Sequence, residues 1–285
     1  MEPDPDVVTR LHAAGCVLAE EEAALLTAAA RRGGQELAAL VDRRTSGVPL
    51  EVVIGRAAFM GLEVGVAPGV FVPRPRSEHL VRKVLRDVRA GDVVVDLCCG
   101  TGALGLAVAT RVEVELHAVD VDEEAVRCAA RNLRAVGGHA YAGDLDGPLP
   151  ARLRGHVDVL LASPPYVPSG EVPLLPREAR EHEPRRALDG GADGLDVVRR
   201  TAGAAERLLA PSAVVVVETG QQQAWAAAAA FSERGLAARS VVTDEAAVVV
   251  ARRQRSGQIP IGLPATEATS SGSPSSTTSA CSLRP

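Results

Sequence analysis

From Asp92 onward, short apolar runs alternate with stretches whose apolar residues recur at helical spacing. Runs rich in Val, Leu and Ala at 93–97, 114–119, 139–143, 157–162 and 213–218 predict buried strands. The stretches near 103–111, 123–135, 194–209 and 221–234 predict helices between and after them. Such alternation builds an α/β fold, a parallel sheet with helices on both faces. Two further runs, 237–243 and 246–251, meet at Thr243-Asp244-Glu245. That connection is too short for a parallel crossover, so the last pair is expected to be antiparallel. Ahead of the alternation, residues 5–46 predict two or three short helices, broken near Gly15 and at Gly33-Gly34. Residues 59–66 and 70–72, about Pro68-Gly69, predict a β-hairpin. A helix is expected from Ser77, acting as its N-cap, to about Val88. Beyond Ser256 the chain turns to Ser, Thr, Pro and Gly, the composition of a disordered tail.

Composition narrows the partners. The chain is 46% hydrophobic but only 2% aromatic, so its core must be Val, Leu and Ala. A net charge of −5 without a basic run argues against a phosphate-neutralising nucleic-acid face. Five cysteines show neither zinc spacing nor a disulfide framework, so no metal is expected and a reducing, cytoplasmic setting is. Met1-Glu2-Pro3-Asp4 opens no apolar signal core, and no apolar run approaches the roughly 20 residues of a membrane span.

The first strand runs into Asp96-Leu97-Cys98-Cys99-Gly100-Thr101-Gly102-Ala103-Leu104-Gly105. Glycines at 100, 102 and 105 match G-x-G-x-x-G, a spacing that allows a tight turn, close approach to a ligand and close helix–strand packing. Asp120 ends the second strand about 20 residues on, where an acid takes ribose hydroxyls. A dinucleotide and S-adenosylmethionine both answer to a glycine loop and a ribose acid. Asp96 separates them, because a carboxylate at the strand end repels a pyrophosphate and favours an ammonium and a sulfonium. Asp144, before Leu145 and after the third strand, is either an acceptor for an adenine amino group or the start of an Asx-turn. Acids thus end strands one and two and follow strand three.

The fourth strand stops at Ser163-Pro164-Pro165-Tyr166, since two prolines cannot continue a hydrogen-bond ladder. A hydroxyl, rigid carbonyls and an aromatic face at the carboxyl end of a strand make a clamp for a planar amine or amide. Amide nitrogen is a poor nucleophile, and alignment against an electrophile supplies much of the rate. Ser163 offers one donor and two acceptor lone pairs for that task.

With these motifs on view, residues 5–254 resemble the HemK/PrmC family of protein-(glutamine N5) methyltransferases, which modify peptide-chain release factors. The resemblance runs through Pro49-Leu50-Glu51-Val52-Val53-Ile54-Gly55 and Gly69-Val70-Phe71-Val72-Pro73-Arg74-Pro75 with Glu78, then the glycine loop, Asp120, Asp144 and the clamp. It ends in the long stretch Glu183-Pro184-Arg185-Arg186-Ala187-Leu188-Asp189-Gly190-Gly191-Ala192-Asp193-Gly194-Leu195. It implies a seven-stranded Rossmann-like, S-adenosylmethionine-dependent methyltransferase fold with a small N-terminal helical domain that helps hold a protein substrate. The expected divisions are 1–48 helical, 49–76 a hairpin linker, 77–254 the methyltransferase domain and 255–285 the tail. Ser163, Pro164, Pro165 and Tyr166 are the implied catalytic set. Asp96, Cys98, Gly100, Thr101, Gly102, Asp120, Val121, Asp144, Leu145 and Ser163 are the implied cofactor set. The implied partner is a release factor met by a monomer, with no stable nucleic acid and no membrane. The chain departs from the pattern at Ser163, where the family's clamp begins with Asn, at Cys98 in place of a loop glycine, and at Arg76 in place of an acid.

Other acceptors stay open: an amine on a ribosomal protein, a nucleobase or a small metabolite. So does a cofactor-binding module without catalysis. Cys98-Cys99 read as small residues in a tight turn, Gly33-Gly34-Gln35 as a helix-to-helix turn, and Trp225 as a packing residue. His182 reads as a solvated loop residue or one near the site mouth, and Arg74, Arg76 and Glu78 either as contacts for the partner or as pins of the linker to the main domain, the pin leading for Arg76. Glu218, ending the fifth strand, either faces the site or stands in water at the sheet edge.

Overall fold

The computed structural model describes residues 4–253, and the tail expected beyond Ser256 lies outside them. Its helices are α1 (Pro5–Ala13), α2 (Ala19–Gly33), α3 (Leu37–Thr45), α4 (Leu50–Ile54), α5 (Glu78–Val84), α6 (Ala103–Ala109), α7 (Glu123–Leu133), α8 (Arg177–His182), α9 (Asp196–Leu208) and α10 (Ala224–Ser232). Its strands are β1 (Arg56–Phe59), β2 (Leu62–Gly65), β3 (Val93–Leu97), β4 (Glu115–Asp120), β5 (His139–Ala142), β6 (Val157–Ala162), β7 (Leu209–Thr219), β8 (Ala237–Val242) and β9 (Ala247–Arg252).

Seven strands form one sheet in the order β5-β4-β3-β6-β7-β9-β8. The first five run parallel, while β9 lies antiparallel to β7 and β8 antiparallel to β9. The period of two along each strand sorts its side chains. Val95, Leu97, Leu160, Val215 and Val217 turn to the face covered by α9 and α10, where Val198, Leu208 and Phe231 are buried. Val94, Val159, Leu161, Val214 and Val216 turn to the opposite face, against Leu80, Ala107 and Leu133 of α5, α6 and α7. Burying each such Val, Leu or Phe side chain contributes about 1.5–3 kcal/mol.

Helices α1 to α4 close on a separate cluster that buries Leu11, Leu26, Leu40 and Val41. Gly34 caps α2 with φ +63°, a left-handed conformation that suits glycine, so Gly33-Gly34-Gln35 is a helix-to-helix turn as expected.

Three local expectations are corrected. The hairpin pairs β1 with β2, turning at Met60-Gly61 rather than Pro68-Gly69, and residues 70–72 form no strand. Ser77 does not cap α5, because its hydroxyl donates to Glu218. Trp225 is 80% exposed, since α10 packs through Ala224, Ala227, Ala228, Ala230 and Phe231 instead.

Candidate active site

The strand order reverses direction at β3, which has β4 on one side and β6 on the other. Such a switch point opens a crevice at the carboxyl ends of the strands. Register then fixes what meets there. Leu97 pairs with Val119 and with Ala162, and Ala162 pairs with Val217. The next residue of each strand therefore falls in one row: Asp120, Cys98, Ser163 and Glu218.

A cavity of about 350 Å³ opens beside this row. That is a volume typical of a small-molecule site. Cys98, Gly100, Thr101, Asp120, Val121, Asp144, Leu145, Ser163 and Pro165 line it, together with Val70, Ser77, Arg186 and Arg200. Four sequence-derived candidates, Asp96, Gly102, Pro164 and Tyr166, do not.

Asp96 shares the strand face of Val94, so it points beneath α6 and not into the crevice. It has no exposed surface, and its Oδ2 accepts from the Gly105 N–H at 2.9 Å. Its Oδ1 has no hydrogen-bond partner among the described residues. Burial raises its pKa from 3.8 to about 7. Gly102 has φ +75°, and a Cβ there would meet Ala129 at 3.2 Å, so this glycine serves the packing of α7 against the loop. Pro164 is buried behind the turn.

Asp120 is a prepared acceptor. Its two carboxylate oxygens take the N–H groups of Gly100 and Asp122, each at 2.9 Å, which fixes the side chain and the glycine turn together. Burial raises its pKa, against the pull of those N–H groups. Next to it Val121 is 59% exposed on the cavity wall, an apolar surface open to a flat ring. Leu145 lies on the same wall with φ +48°. Asp144 forms an ion pair with Arg200, and Arg186 approaches Asp122 at 3.6 Å. Cys98 holds the left-handed conformation at φ +56°. Burial pushes the Cys98 and Cys99 thiols well up, which keeps them from acting as thiolates.

The other end of the row converges on Glu218, which is 3% exposed. Ser163 Oγ donates to its Oε2 at 3.0 Å, and Ser77 Oγ donates to the same oxygen at 2.6 Å. Arg76 Nε and the Tyr166 hydroxyl each donate to Oε1 at 3.2 Å. The Arg76 guanidinium also lies 5.8 Å from the centre of the Tyr166 ring. Burial, then the Glu218 charge, pushes the Tyr166 phenol well up, so it stays a neutral donor. Arg76 therefore pins residues 75–77 to β7, in keeping with its expected linker role. Glu218 therefore does not stand in water at the sheet edge; it does not line the cavity either, and adjoins it only through Ser163 and Ser77.

The 183–195 stretch explains why the prolines stay in place. Gly190 N–H donates to Val167 O at 2.8 Å, and Val167 N–H donates to Leu188 O at 3.0 Å. A Cβ on Gly190 would stand 2.7 Å from Pro165 O, and one on Gly194 2.3 Å from Tyr166 O. Only glycine lets this stretch lie flat along the clamp. Its first residue, buried Glu183, pairs with Arg74, which packs over Phe71 at 5.1 Å. His182 sits elsewhere, with Nε2 buried and 3.5 Å from where a Cβ on Gly47 would stand.

A crevice at the switch point of a Rossmann-like sheet, with a buried carboxylate at one end and a hydroxyl-bearing proline turn at the other, has the form of a small-molecule site. Residues 63–221, more than half of the chain, match the family described as the methyltransferase small domain, and the chain belongs to that family. It is 43% identical over 177 residues to a release factor glutamine methyltransferase of Streptomyces coelicolor, covering 60% of this chain and 63% of that protein. It is 37% identical over 179 residues to a 4-amino-L-phenylalanine/4-methylamino-L-phenylalanine methyltransferase of Streptomyces pristinaespiralis, covering 60% of this chain and 61% of that protein. The chain thus spans about six tenths of the length of these curated relatives. A methyltransferase from Pyrococcus furiosus has the same fold, with a TM-score of 0.52 at 18% identity, over 68% of this chain and 90% of that one.

Proposed function

We propose that the protein is an S-adenosylmethionine-dependent N-methyltransferase that modifies a glutamine side-chain amide of a protein, a peptide-chain release factor being the substrate. The observation that carries this reading is the row Asp120, Cys98, Ser163 along one cavity, a cofactor acceptor and an acceptor-amine clamp on adjacent strand ends. The residues suit the cofactor. Asp120 would take the two ribose hydroxyls, Val121 and Leu145 would offer apolar surface to the adenine, and the Gly100-Thr101 turn would receive the amino-acid portion. Asp144 keeps an oxygen beyond its Arg200 pair for the adenine amino group. When bound, S-adenosylmethionine supplies an electrophilic methyl group on a cationic sulfur.

The chain's own part is to place the nucleophile. Ser163 Oγ accepts an N–H of the substrate, and the rigid Pro164-Pro165 backbone keeps that acceptor fixed. Tyr166, tethered through Glu218, holds the turn against β7. The nitrogen turns cationic and acidic on methylation and then releases its proton, so no general base is needed. Residues 1–48 are proposed to help hold the protein substrate, with residues 49–76 linking them to the sheet, and the enzyme is proposed to work as a cytoplasmic monomer. Among the described residues no helix is long and apolar enough to cross a membrane. The glutamine methyltransferase named among the relatives supports the amide as acceptor.

A second reading, methylation of a small-molecule amine, is favoured by one observation. The Ser163 hydroxyl already donates to Glu218, so it offers only acceptors, which an amine satisfies without help. The aminophenylalanine methyltransferase among the relatives supports it. Incubating the protein with labelled S-adenosylmethionine and either purified release factor or fractionated lysate tests both. Label on the release factor glutamine is expected. Label confined to small molecules rejects the amide reading and supports the second.

A further inference from the structure

Ser163 has one proton, and it is committed. Its Oγ donates to Glu218 Oε2 at 3.0 Å, so the lone pairs are what remain for a substrate. A side-chain amide presents two things to a clamp: N–H groups that need an acceptor, and a carbonyl oxygen that needs a donor. Ser163 supplies the acceptor alone. The neighbouring hydroxyls are spent in the same way, since Ser77 Oγ donates to Glu218 Oε2 at 2.6 Å and the Tyr166 hydroxyl to Oε1 at 3.2 Å. The donor for the carbonyl must come from another group.

Arg76 shares the same carboxylate. Its Nε donates to the other oxygen of the same carboxylate at 3.2 Å. One buried carboxylate thus holds the guanidinium and the Ser163 hydroxyl within a side chain's width of each other. A guanidinium has five N–H donors in a rigid fork and no acceptor, so the bonds to Glu218 and the contact with Tyr166 do not exhaust it. The Arg76 side chain is 48% exposed, against 4% for Glu218, so it reaches solvent where Glu218 does not. Its 5.8 Å approach to the Tyr166 ring fixes the fork beside the proline turn.

We propose that Arg76 is a specificity-determining residue that donates to the carbonyl oxygen of the substrate amide while Ser163 accepts from its nitrogen, with Glu218 holding both in register. This rests on the amide reading above. Arg76 makes no bond to the reacting nitrogen, so its part is to fix the amide plane and thereby aim the nitrogen.

The test uses the full-length protein with a purified release factor. Arg76→Gln is expected to lower kcat/KM for the release factor by about ten- to a hundredfold, the worth of one hydrogen bond from a charged donor, with kcat falling as well as KM rising because both the hold and the aim are lost. S-adenosylmethionine affinity, measured by calorimetry, is expected to stay within about twofold of wild type, because the contacts of Arg76 are with Glu218 and Tyr166 and not with Asp120 or the Gly100-Thr101 turn. Adding Ser163→Asn to Arg76→Gln is expected to recover most of the loss, because one planar amide carries both an acceptor and a donor. Arg76→Lys, which keeps a charged donor, is expected to fall between. Wild-type kcat/KM in Arg76→Gln overturns the proposal alone. Loss of cofactor affinity together with activity, unrecovered by Ser163→Asn, assigns Arg76 a structural role and overturns it too. A wild-type enzyme that leaves the release factor unmethylated while labelling another amine overturns the amide reading itself.

Discussion

Ser163 and Glu218 stand side by side because Ala162 and Val217 are register partners in the parallel pair β6 and β7, and the next residue along each chain is polar. The resulting 3.0 Å bond makes the serine an oriented acceptor rather than a freely rotating hydroxyl. Ser163→Ala removes that acceptor. Turnover is expected to fall by about ten- to a thousandfold, the range seen on losing one positioned hydrogen bond, while S-adenosylmethionine affinity changes little. Glu218 keeps three donors in the variant, from Ser77, Arg76 and Tyr166, so the fold should hold. Steady-state kinetics beside calorimetry separate the two effects. Full activity in the variant would mean that the proline turn holds the nitrogen without the hydroxyl.

Asp120→Ala tests the cofactor end. The carboxylate fixes the N–H groups of Gly100 and Asp122 and has lone pairs left for two ribose hydroxyls. Hydrogen bonds to a charged group are each worth about 1.5–3 kcal/mol. A tenfold or greater loss of S-adenosylmethionine affinity is therefore expected, roughly 1.4 kcal/mol or more. Asp120→Asn keeps one acceptor and should lose less. An unchanged dissociation constant for the alanine variant would remove Asp120 from the cofactor site.

Gly190 tests the wall behind the clamp. A Cβ there would meet Gly194 O at 2.6 Å and Pro165 O at 2.7 Å, both backbone atoms that cannot swing aside. Gly190→Ala should cost about 1–3 kcal/mol of stability, as forced overpacking does. It should also displace Pro165 and lower turnover more than cofactor affinity. Urea denaturation with an unchanged midpoint would show that the stretch yields without strain.

The sheet was legible because Val, Leu and Ala runs with few interruptions can only be buried strands in a chain so poor in aromatics. The glycine turn beside Asp120 is legible because the glycine spacing and the acid are local to two strand ends. The hairpin turn was not. It places Met60 at φ +51°, a conformation that carries no residue-type signal in Met, while Pro68-Gly69 offers a conventional one. Asp96 was misplaced because its position at a strand end was read without the parity that sets it on the face of Val94. Glu218 is narrowed only to two readings, since its donors at 76, 77, 163 and 166 come from segments far apart in the chain, of which strand register places Ser163 alone. Trp225 reads as packing from its place in an Ala-rich helix, but the alanines and Phe231 of α10 fill the buried face.

Asp96 gives the fold a pH dependence whose sign can be worked out. Burial raises its folded-state pKa from 3.8 to about 7. Between those values the folded protein keeps a proton that the unfolded chain has released. Stability from this group is therefore present below pH 3.8, declines as pH rises through the window, and levels off above about 7. Its slope can reach no more than about 1.4 kcal/mol per pH unit. Asp96→Asn cannot ionise, and its side-chain oxygen can still accept from Gly105 N–H. Its amide nitrogen then occupies the place of Oδ1, which has no partner among the described residues, so the variant carries a roughly constant penalty at every pH. The stability difference between variant and wild type should thus move in favour of asparagine as pH climbs through the window and stay flat above it. Other titrating groups are common to both proteins and largely cancel in that difference. Urea midpoints for the pair, taken at several pH values across the window, measure it directly. A difference that stays constant from the acidic to the neutral end would show that Asp96 keeps the same charge throughout, and that the Gly105 N–H and the loop above it hold the carboxylate ionised despite its burial.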